Sequence, residues 1–132
     1  MRYGERVRVL VVDDEDAICR ALEVCLTRAG YDVVWFLRGE SALERVKTER
    51  FDVLLVDLRL RGDMRGDEFF HWAAACQPHL AHATLFMTGD ITEIAQTLID
   101  ACKTPHLMKP FDLRDVLDAV AAMSPRVHNA SA

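Results

Sequence analysis

The sequence predicts an α/β domain built on a five-stranded parallel sheet with helices on both faces. Two kinds of segment alternate along the chain. One kind is a short apolar run without polar alternation, and in the other kind apolar residues recur every three or four positions. The first pattern is typical of strands buried on both faces of a parallel sheet, and the second of amphipathic helices. Strands linked by helices must run parallel with right-handed crossovers, so their carboxyl ends all lie at one edge of the sheet.

The first half of the chain contains three predicted strands and two predicted helices. Val7–Val12 is an apolar run that predicts a strand, and the acids after it open a helix, where the helix dipole stabilises carboxylates. Gly30 ends that helix, because glycine tolerates the left-handed conformation that follows many helices. Asp32–Phe36 predicts a strand and Glu40–Thr48 a short helix. Phe51–Asp57 is a continuous apolar run that stops abruptly at an acid, which predicts a strand buried on both faces.

A long loop rich in Arg, Gly and Asp, Leu58–Gly66, separates that strand from the next predicted helix, Asp67–Cys76. Pro78 ends this helix, since the residue before a proline disfavours helical geometry. Ala83–Met87 predicts the fourth strand. The residues expected on the buried face of the helix are Phe69, Trp72, Ala73 and Cys76.

The end of the chain contains two predicted helices and one short strand. Thr92 is expected to cap the helix Glu93–Cys102, and Asp112 the last helix. Between them lies the short strand His106–Met108. The expected core residues of the two helices are Ile94, Leu98 and Ile99, then Leu113, Val116, Leu117 and Val120. Residues 124–132 have no pattern, so a single domain over residues 1–123 and a tail or the start of a linker are expected.

Length, charge and cysteine usage exclude several classes of protein. The chain of 132 residues suits one domain of ordinary soluble composition, and its formal charge of −5 argues against direct nucleic-acid binding. No apolar run approaches the roughly 18 residues of a membrane span, and the charged start does not resemble a signal peptide. The four cysteines have no metal-ligand spacing, which favours reduced structural thiols and a cytoplasmic location.

Chemically capable side chains follow four of the predicted strands at the edge where those strands end. Asp13 and Asp14 follow the first strand, Asp57 ends the third, Thr88 follows the fourth, and Lys109 follows the last. In open parallel sheets this edge is where ligands bind. An unpaired carboxylate inside the core would cost several kcal/mol, so Asp57 is expected at the exposed end of its strand.

These residue types together indicate phosphoryl transfer to an aspartate. Two carboxylates about 4 Å apart repel by roughly 4 kcal/mol at an effective dielectric constant of about 20, so a cation is expected among them. Oxygen ligands and an open shell favour Mg²⁺ over Ca²⁺. Asp57 would attack phosphorus, while Mg²⁺ and Lys109 neutralise charge and Thr88 bonds a phosphoryl oxygen. Taken singly, each residue is also explained as a helix-capping acid, a surface lysine or a turn hydroxyl.

From about Val7 to Met123 the sequence resembles the receiver domain of bacterial two-component response regulators. The resemblance rests on the acids of VVDDED, on LLVDLRL, on the Thr of FMTGD and on the Lys-Pro of MKPF. It implies a flavodoxin-like fold with strand order 2-1-3-4-5. It also implies these roles: phosphorylation of Asp57, Mg²⁺ binding by Asp13, Asp14, Asp57 and the backbone carbonyl of Arg59, and phosphate contacts from Thr88 and Lys109.

The same resemblance implies the partners and the state of the protein. The phosphoryl group would come from a sensor histidine kinase or a phosphotransfer protein, and water would slowly hydrolyse the product. Output to a downstream protein would pass through the fourth helix, last strand and last helix, a face that is also compatible with a homodimer. The chain is expected to be either a single-domain regulator or a receiver excised from a larger protein such as a hybrid histidine kinase.

The sequence departs from the pattern of that family in three ways. His106 stands where the family usually has a Tyr or Phe that swings inward with the switch residue Thr88, so its part in switching is an open question. Arg61 replaces a proline, in a loop that is expected to be one residue longer. Arg59 and Asp90 flank the phosphoryl site, and we expect an ion pair between them that hinders the hydrolytic water.

Two other functions compete with the phosphoacceptor. A scaffold of the same fold that binds partners without phosphorylation would be favoured by a missing acid or lysine, and the sequence has them all. A phosphohydrolase of the haloacid-dehalogenase type needs a second aspartate two residues after the nucleophile. That position is Arg59, which disfavours the enzyme.

Overall fold

A computed structural model describes residues 6–125 of the chain and contains five parallel strands. The strands are β1 Arg8–Val12, β2 Asp32–Phe36, β3 Val53–Asp57, β4 Thr84–Thr88 and β5 His106–Met108. The helices are α1 Asp16–Arg28, α2 Gly39–Val46, α3 Gly66–Cys76, α4 Glu93–Cys102 and α5 Leu113–Met123. The strand order is β2-β1-β3-β4-β5, which confirms the predicted fold. The predicted tail, residues 124–132, lies almost entirely outside the described residues.

The central strand β3 is buried along its whole length, as its unbroken apolar sequence predicts. Its neighbours are β1 and β4, which pair with it in parallel register. Side chains alternate across the sheet, so Leu54 and Val56 enter one core while Val53 and Leu55 enter the other. The two cores therefore place the acid at the end of β3 between two layers of helices.

The helices divide unequally between the two faces of the sheet. One core is closed by α1 and α5, through Leu22, Leu26 and Val120 among others. The other core is closed by α2, α3 and α4, with Phe69 and Phe86 at its centre. Both faces of the sheet are thus covered, which satisfies strands that are apolar on both sides.

The buried faces of α3 and α4 differ from the predicted ones. Trp72 is 59% exposed and Ile94 is 71% exposed, although both were expected in the core. In α3, Phe69 and Ala73 are buried as predicted and Phe70 joins them, whereas the predicted core residue Cys76 is exposed. Leu113, expected in the core of α5, is also exposed. An amphipathic segment with apolar residues on more than one stripe does not determine its own rotation, because the contacts with the sheet select the buried stripe.

Several predicted boundaries are also wrong by one or two residues. Helix α3 begins at Gly66 rather than at the next residue, and α2 ends at Val46 rather than at Thr48. A short 3₁₀ helix, Pro78–His82, lies between α3 and β4, where no helix or strand was predicted. By contrast, Thr92 caps α4 as predicted: its hydroxyl accepts the Ala95 N–H at 3.2 Å.

Two features of the described residues bear on the class of protein. All four cysteines are free thiols, and Cys19 and Cys102 are buried. Within residues 6–125, no helix has the length and apolar character needed to cross a membrane.

Candidate functional site

Three carboxylates meet at the carboxyl edge of the sheet. One oxygen from each of Asp13, Asp14 and Asp57 lies within 4.8 Å of the other two, although the residues come from two different strand ends. The prediction that Asp57 is exposed is wrong: only 4% of the residue is accessible, and Asp13 is completely buried. Burial comes from helices and loops packed over the edge, which a single strand cannot reveal.

Lys109 compensates the buried acids. Its ammonium nitrogen Nζ lies 2.8 Å from Oδ2 of Asp13 and 3.2 Å from Oδ2 of Asp57. The backbone N–H of Lys109 donates to the Thr88 carbonyl at 2.8 Å. This hydrogen bond continues the pairing of β4 with β5 and holds the lysine next to the acids. Glu15 also approaches Nζ, at 3.3 Å. Sequence reasoning missed Glu15, and its place in the acidic run after β1 was the available signal.

The balance of charge in this pocket raises the pKa values of its acids. Burial raises the pKa of Asp57 to about 7, and the negative charge of Asp13 adds to the effect, while Lys109 opposes it. Burial likewise raises the pKa of Asp13. Burial disfavours the charged form of Lys109, but the hydrogen bond to Asp13 and the charge of Asp57 outweigh it and raise the pKa of the lysine. The single ammonium of Lys109 thus lies among several carboxyl groups, so negative charge exceeds positive charge around it.

Gly66 allows the loop after β3 to return close to the acid. A Cβ atom at this position would lie 2.1 Å from the carbonyl oxygen of Asp57, so every other residue type collides with the backbone. The Gly66 N–H donates to the Leu58 carbonyl at 3.0 Å and holds the start of α3 there. Glycine at the first residue of α3 therefore lets this helix begin directly against the backbone of Asp57 and Leu58.

Thr88 is buried at the end of β4, the strand beside Asp57. Its hydroxyl oxygen accepts the backbone N–H of Asp90 at 2.9 Å, so the side chain is tied to its own loop. The predicted switch residue His106 lies half-buried in β5, where the register places it opposite Phe86. Thr88 pairs instead with Met108, two residues further along the strand.

Arg59 contacts the site through both its backbone and its side chain. Its N–H donates to Oδ1 of Asp57 at 3.1 Å. Its guanidinium pairs with Asp90, with Nε 2.7 Å from Oδ2, so the structure contains the predicted ion pair beside the pocket. The arginine side chain is 67% exposed, whereas that of Asp90 is 11% exposed. The pair thus lies beside the acidic pocket.

Arg61 forms a contact that sequence reasoning did not predict. Its Nε lies 3.2 Å from Oδ2 of Asp14. The sequence shows an arginine at this position, but the reach of a side chain from a long loop depends on the path of the loop. The third acid of the cluster therefore has its own arginine partner.

Comparisons with known proteins agree with this fold. A family model described as the response regulator receiver domain matches residues 9–121. The parallel sheet with a buried acidic pocket at its edge thus belongs to a class of phosphorylation-based signalling domains rather than to a class of enzymes. The chain is a member of the response regulator receiver family.

Individual relatives support the same assignment. The response regulator receiver protein CpdR of Brucella abortus (strain 2308) is 33% identical over 88% of this chain and 95% of its own length. Several other curated relatives are longer, and the chain spans only about half of their length or less.

Two solved structures are similar in fold. A CheY-like receiver domain protein of Methanospirillum hungatei JF-1 superposes with a TM-score of 0.82 at 26% identity, covering 89% of this chain and 93% of that one. A Burkholderia pseudomallei response regulator with a phosphorylated aspartic acid, calcium ion and citrate gives 0.76 at 26% identity, covering 86% and 66%.

Proposed function

We propose that the protein accepts a phosphoryl group on Asp57 and thereby changes its binding to a downstream protein. The donor is the phosphohistidine of a sensor histidine kinase or of a phosphotransfer protein. The observation that carries this proposal is the position of the Asp57 carboxylate, which ends the central strand in a pocket with a lysine at 3.2 Å and two further acids. The Burkholderia receiver with a phosphorylated aspartic acid supports it, since that protein has a similar fold.

The transfer is a displacement at phosphorus. A carboxylate oxygen of Asp57 forms the new P–O bond while the P–N bond to the donor histidine breaks. The electron pair of the broken bond returns to the imidazole nitrogen, which then takes up a proton. The attacking carboxylate must be ionised, and in the metal-free pocket burial opposes this by raising the pKa of Asp57 to about 7. Lys109 increases the ionised fraction and lies where charge develops on the phosphoryl oxygens.

The residues of the pocket fit a magnesium ion. Asp13, Asp14 and Asp57 supply oxygen ligands within 4.8 Å of one another, and the carbonyl of Arg59 would complete the set. The Lys109 ammonium and the exposed Arg61 guanidinium together do not balance three carboxylates, so the pocket favours a further hard cation. When bound, Mg²⁺ supplies positive charge that offsets the charge of the phosphoryl oxygens.

The same pocket supplies a switch. Thr88 would rotate its hydroxyl away from the Asp90 N–H and toward a phosphoryl oxygen on the neighbouring strand. His106 is the side chain of β5 that we propose to respond to this movement, and its half-buried position leaves room for rotation. Phosphorylation needs to shift the equilibrium between the two arrangements by only a few kcal/mol to change partner binding.

Output through α4, β5 and α5 is supported by apolar side chains that the fold leaves exposed there. Ile91, just before α4, is 86% exposed, and Met108 of β5 is 38% exposed. Exposed apolar groups on neighbouring elements are typical of protein-binding surfaces. We propose that a downstream protein, or a second copy of the chain, binds this face in the phosphorylated state.

The Arg59–Asp90 pair sets the lifetime of the phosphorylated state in this proposal. The pair stands beside the pocket, where a guanidinium and a carboxylate obstruct water approaching the phosphorus atom. Its role is to slow the hydrolysis of the acyl phosphate and so prolong the signal.

Intact-mass spectrometry after incubation with acetyl phosphate tests the proposal. We expect a gain of about 80 Da, one phosphoryl group, that requires both Mg²⁺ and Asp57 and is lost with EDTA or in Asp57→Asn. Asp52→Asn is the matched control, because Asp52 is also a buried aspartate but immediately precedes β3, at the end of the strand opposite Asp57. It should be phosphorylated like the wild type.

Phosphohistidine donors complete the test, because some receivers do not react with small donors. If neither acetyl phosphate nor a panel of phosphorylated histidine kinases and phosphotransfer proteins modifies Asp57, the phosphoacceptor proposal fails. A protein that still binds partners without modification would then be a scaffold of receiver fold.

A further inference from the structure

The guanidinium of Arg61 lies beside Asp14, the acid of the cluster that Lys109 does not contact. Asp13 and Asp57 face Lys109, whereas Asp14 faces the Arg61 guanidinium at 3.2 Å. Among residues 6–125, this is the only ion pair that Asp14 makes. Without a divalent cation, each acid of the cluster therefore has a cationic side chain beside it, from Lys109 or from Arg61.

The loop that carries Arg61 is anchored on both sides of it. On the carboxyl side, Gly62 has a φ of +97° and the Asp63 N–H donates to Oε2 of Glu40 in α2 at 3.0 Å. On the amino side, Leu60 packs half-buried against the core. Because the backbone is held at both ends, Arg61 loses less conformational freedom when it contacts Asp14. The contact thus belongs to a defined loop conformation.

We infer that Arg61 is a built-in competitor of divalent cations for Asp14. The inference rests on the proposed function, since it concerns the metal-binding step of the same pocket. A divalent cation that binds the Asp14 oxygen must displace the guanidinium from it. Because one cation then replaces another, the free energy of binding of the divalent cation is less favourable. The chain accordingly binds Mg²⁺ more weakly than its three carboxylates would allow alone.

The exposure of Arg61 determines the size of the effect. Its side chain is 80% exposed and that of Asp14 only 16%, so the pair is partly screened by solvent. Removing the arginine should therefore leave folding intact and tighten Mg²⁺ binding by about two- to fivefold, as expected for an exposed pair. Displacement of a mobile surface arginine also leaves the loop anchors in place.

The test is calorimetric titration of Mg²⁺ into the unphosphorylated protein, for the wild type, Arg61→Ala and Arg38→Ala. Arg38 is the matched control because it is exposed and its guanidinium would lie 3.2 Å from a Cβ atom at Gly62, next to Arg61. The Arg38→Ala substitution also removes one positive charge near the loop, but Arg38 makes no ion pair with Asp14. We expect Arg61→Ala to tighten binding by at least twice the factor seen for Arg38→Ala.

Salt separates competition for charge from a change in loop packing. Raising KCl from about 0.1 M to about 1 M shortens the Debye length from about 10 Å to about 3 Å. The ratio of the dissociation constants of the wild type and Arg61→Ala should then fall toward one. A ratio that is the same at both salt concentrations would indicate altered packing and overturn the inference.

The remaining outcomes distinguish this inference from the proposed function. If the wild type binds Mg²⁺ and Arg61→Ala binds it equally well, or if both arginine variants tighten binding equally, only the role of Arg61 is refuted. If Arg61→Ala binds Mg²⁺ where the wild type shows no heat of binding, the inference is supported. If neither protein binds Mg²⁺, both the metal-dependent function and the role of Arg61 are refuted.

Discussion

Replacing Asp57 by asparagine should stabilise the protein at alkaline pH. The aspartate is 4% exposed and its pKa is raised from 3.8 to about 7 by burial and by the charge of Asp13. A raised pKa in the folded state means that the folded protein binds the proton more tightly than the unfolded chain. The favourable contribution of protonated Asp57 is therefore complete below about pH 4 and is lost as the pH rises through about 7.

The size of the effect follows from the shift in pKa. A shift of about three units corresponds to about 4 kcal/mol at 1.36 kcal/mol per unit, which is an upper bound on the penalty at pH 8. This penalty already includes the attraction of Lys109, and an asparagine amide cannot accept hydrogen bonds from both the Arg59 N–H and Lys109 Nζ as the carboxylate does. We expect a net gain of about 2 kcal/mol at pH 8, or roughly 6 to 8 °C in Tm. At pH 5 the folded protein keeps this proton while the unfolded chain has largely lost it, so the gain should fall to less than half of its value at pH 8 and vanish only below about pH 4.

Urea denaturation in EDTA at pH 5 and pH 8 measures this difference. EDTA is needed because a bound divalent cation would offset the repulsion between the acids. Asp52→Asn is the control: Asp52 is equally buried, but it accepts the Arg8 N–H at 2.8 Å and pairs with Arg50 at 3.2 Å. This variant should not be stabilised. If Asp57→Asn is no more stable than the wild type at pH 8, or gains as much at pH 5, the electrostatic account of the pocket is wrong.

Three further predictions concern neighbouring residues. Lys109→Met leaves two buried acids facing each other without their ammonium and should lower the unfolding free energy at pH 8 by about 2 to 4 kcal/mol in urea denaturation; unchanged stability would show that the lysine is not their counter-ion. The double variant Arg59→Ala, Asp90→Ala should shorten the phosphorylated lifetime severalfold, measured as the loss of the added mass with time, and unaltered turnover would exclude a shielding role. Glu40→Ala frees the loop that presents Arg61 and should tighten Mg²⁺ binding in calorimetry even though it removes a negative charge; weaker binding would mean that simple charge loss dominates.

Much of the fold was predictable because it depends on local periodicity. Uninterrupted apolar runs such as Leu54–Val56 identify buried strands, and helical spacing between them requires parallel connections. The rotation of α3 and α4 was not predictable in the same way. Trp72 and Ile94 are as apolar as their buried neighbours, and only the shape of the sheet surface decides which stripe of a helix is covered.

The chemistry of the site divides along the same line. By itself the sequence determined that Asp13, Asp57, Thr88 and Lys109 end their strands at one edge, because parallel strands leave no other arrangement. Only the tertiary structure decided that two of the acids are buried, that the pKa of Asp57 rises to about 7, and that Arg61 takes Asp14 as its partner. These properties depend on solvent exclusion and on charges about 3 Å apart that come from distant segments. Neither the exclusion of solvent nor the close approach of these charges can be read from a local sequence pattern, because both arise only when the segments pack together.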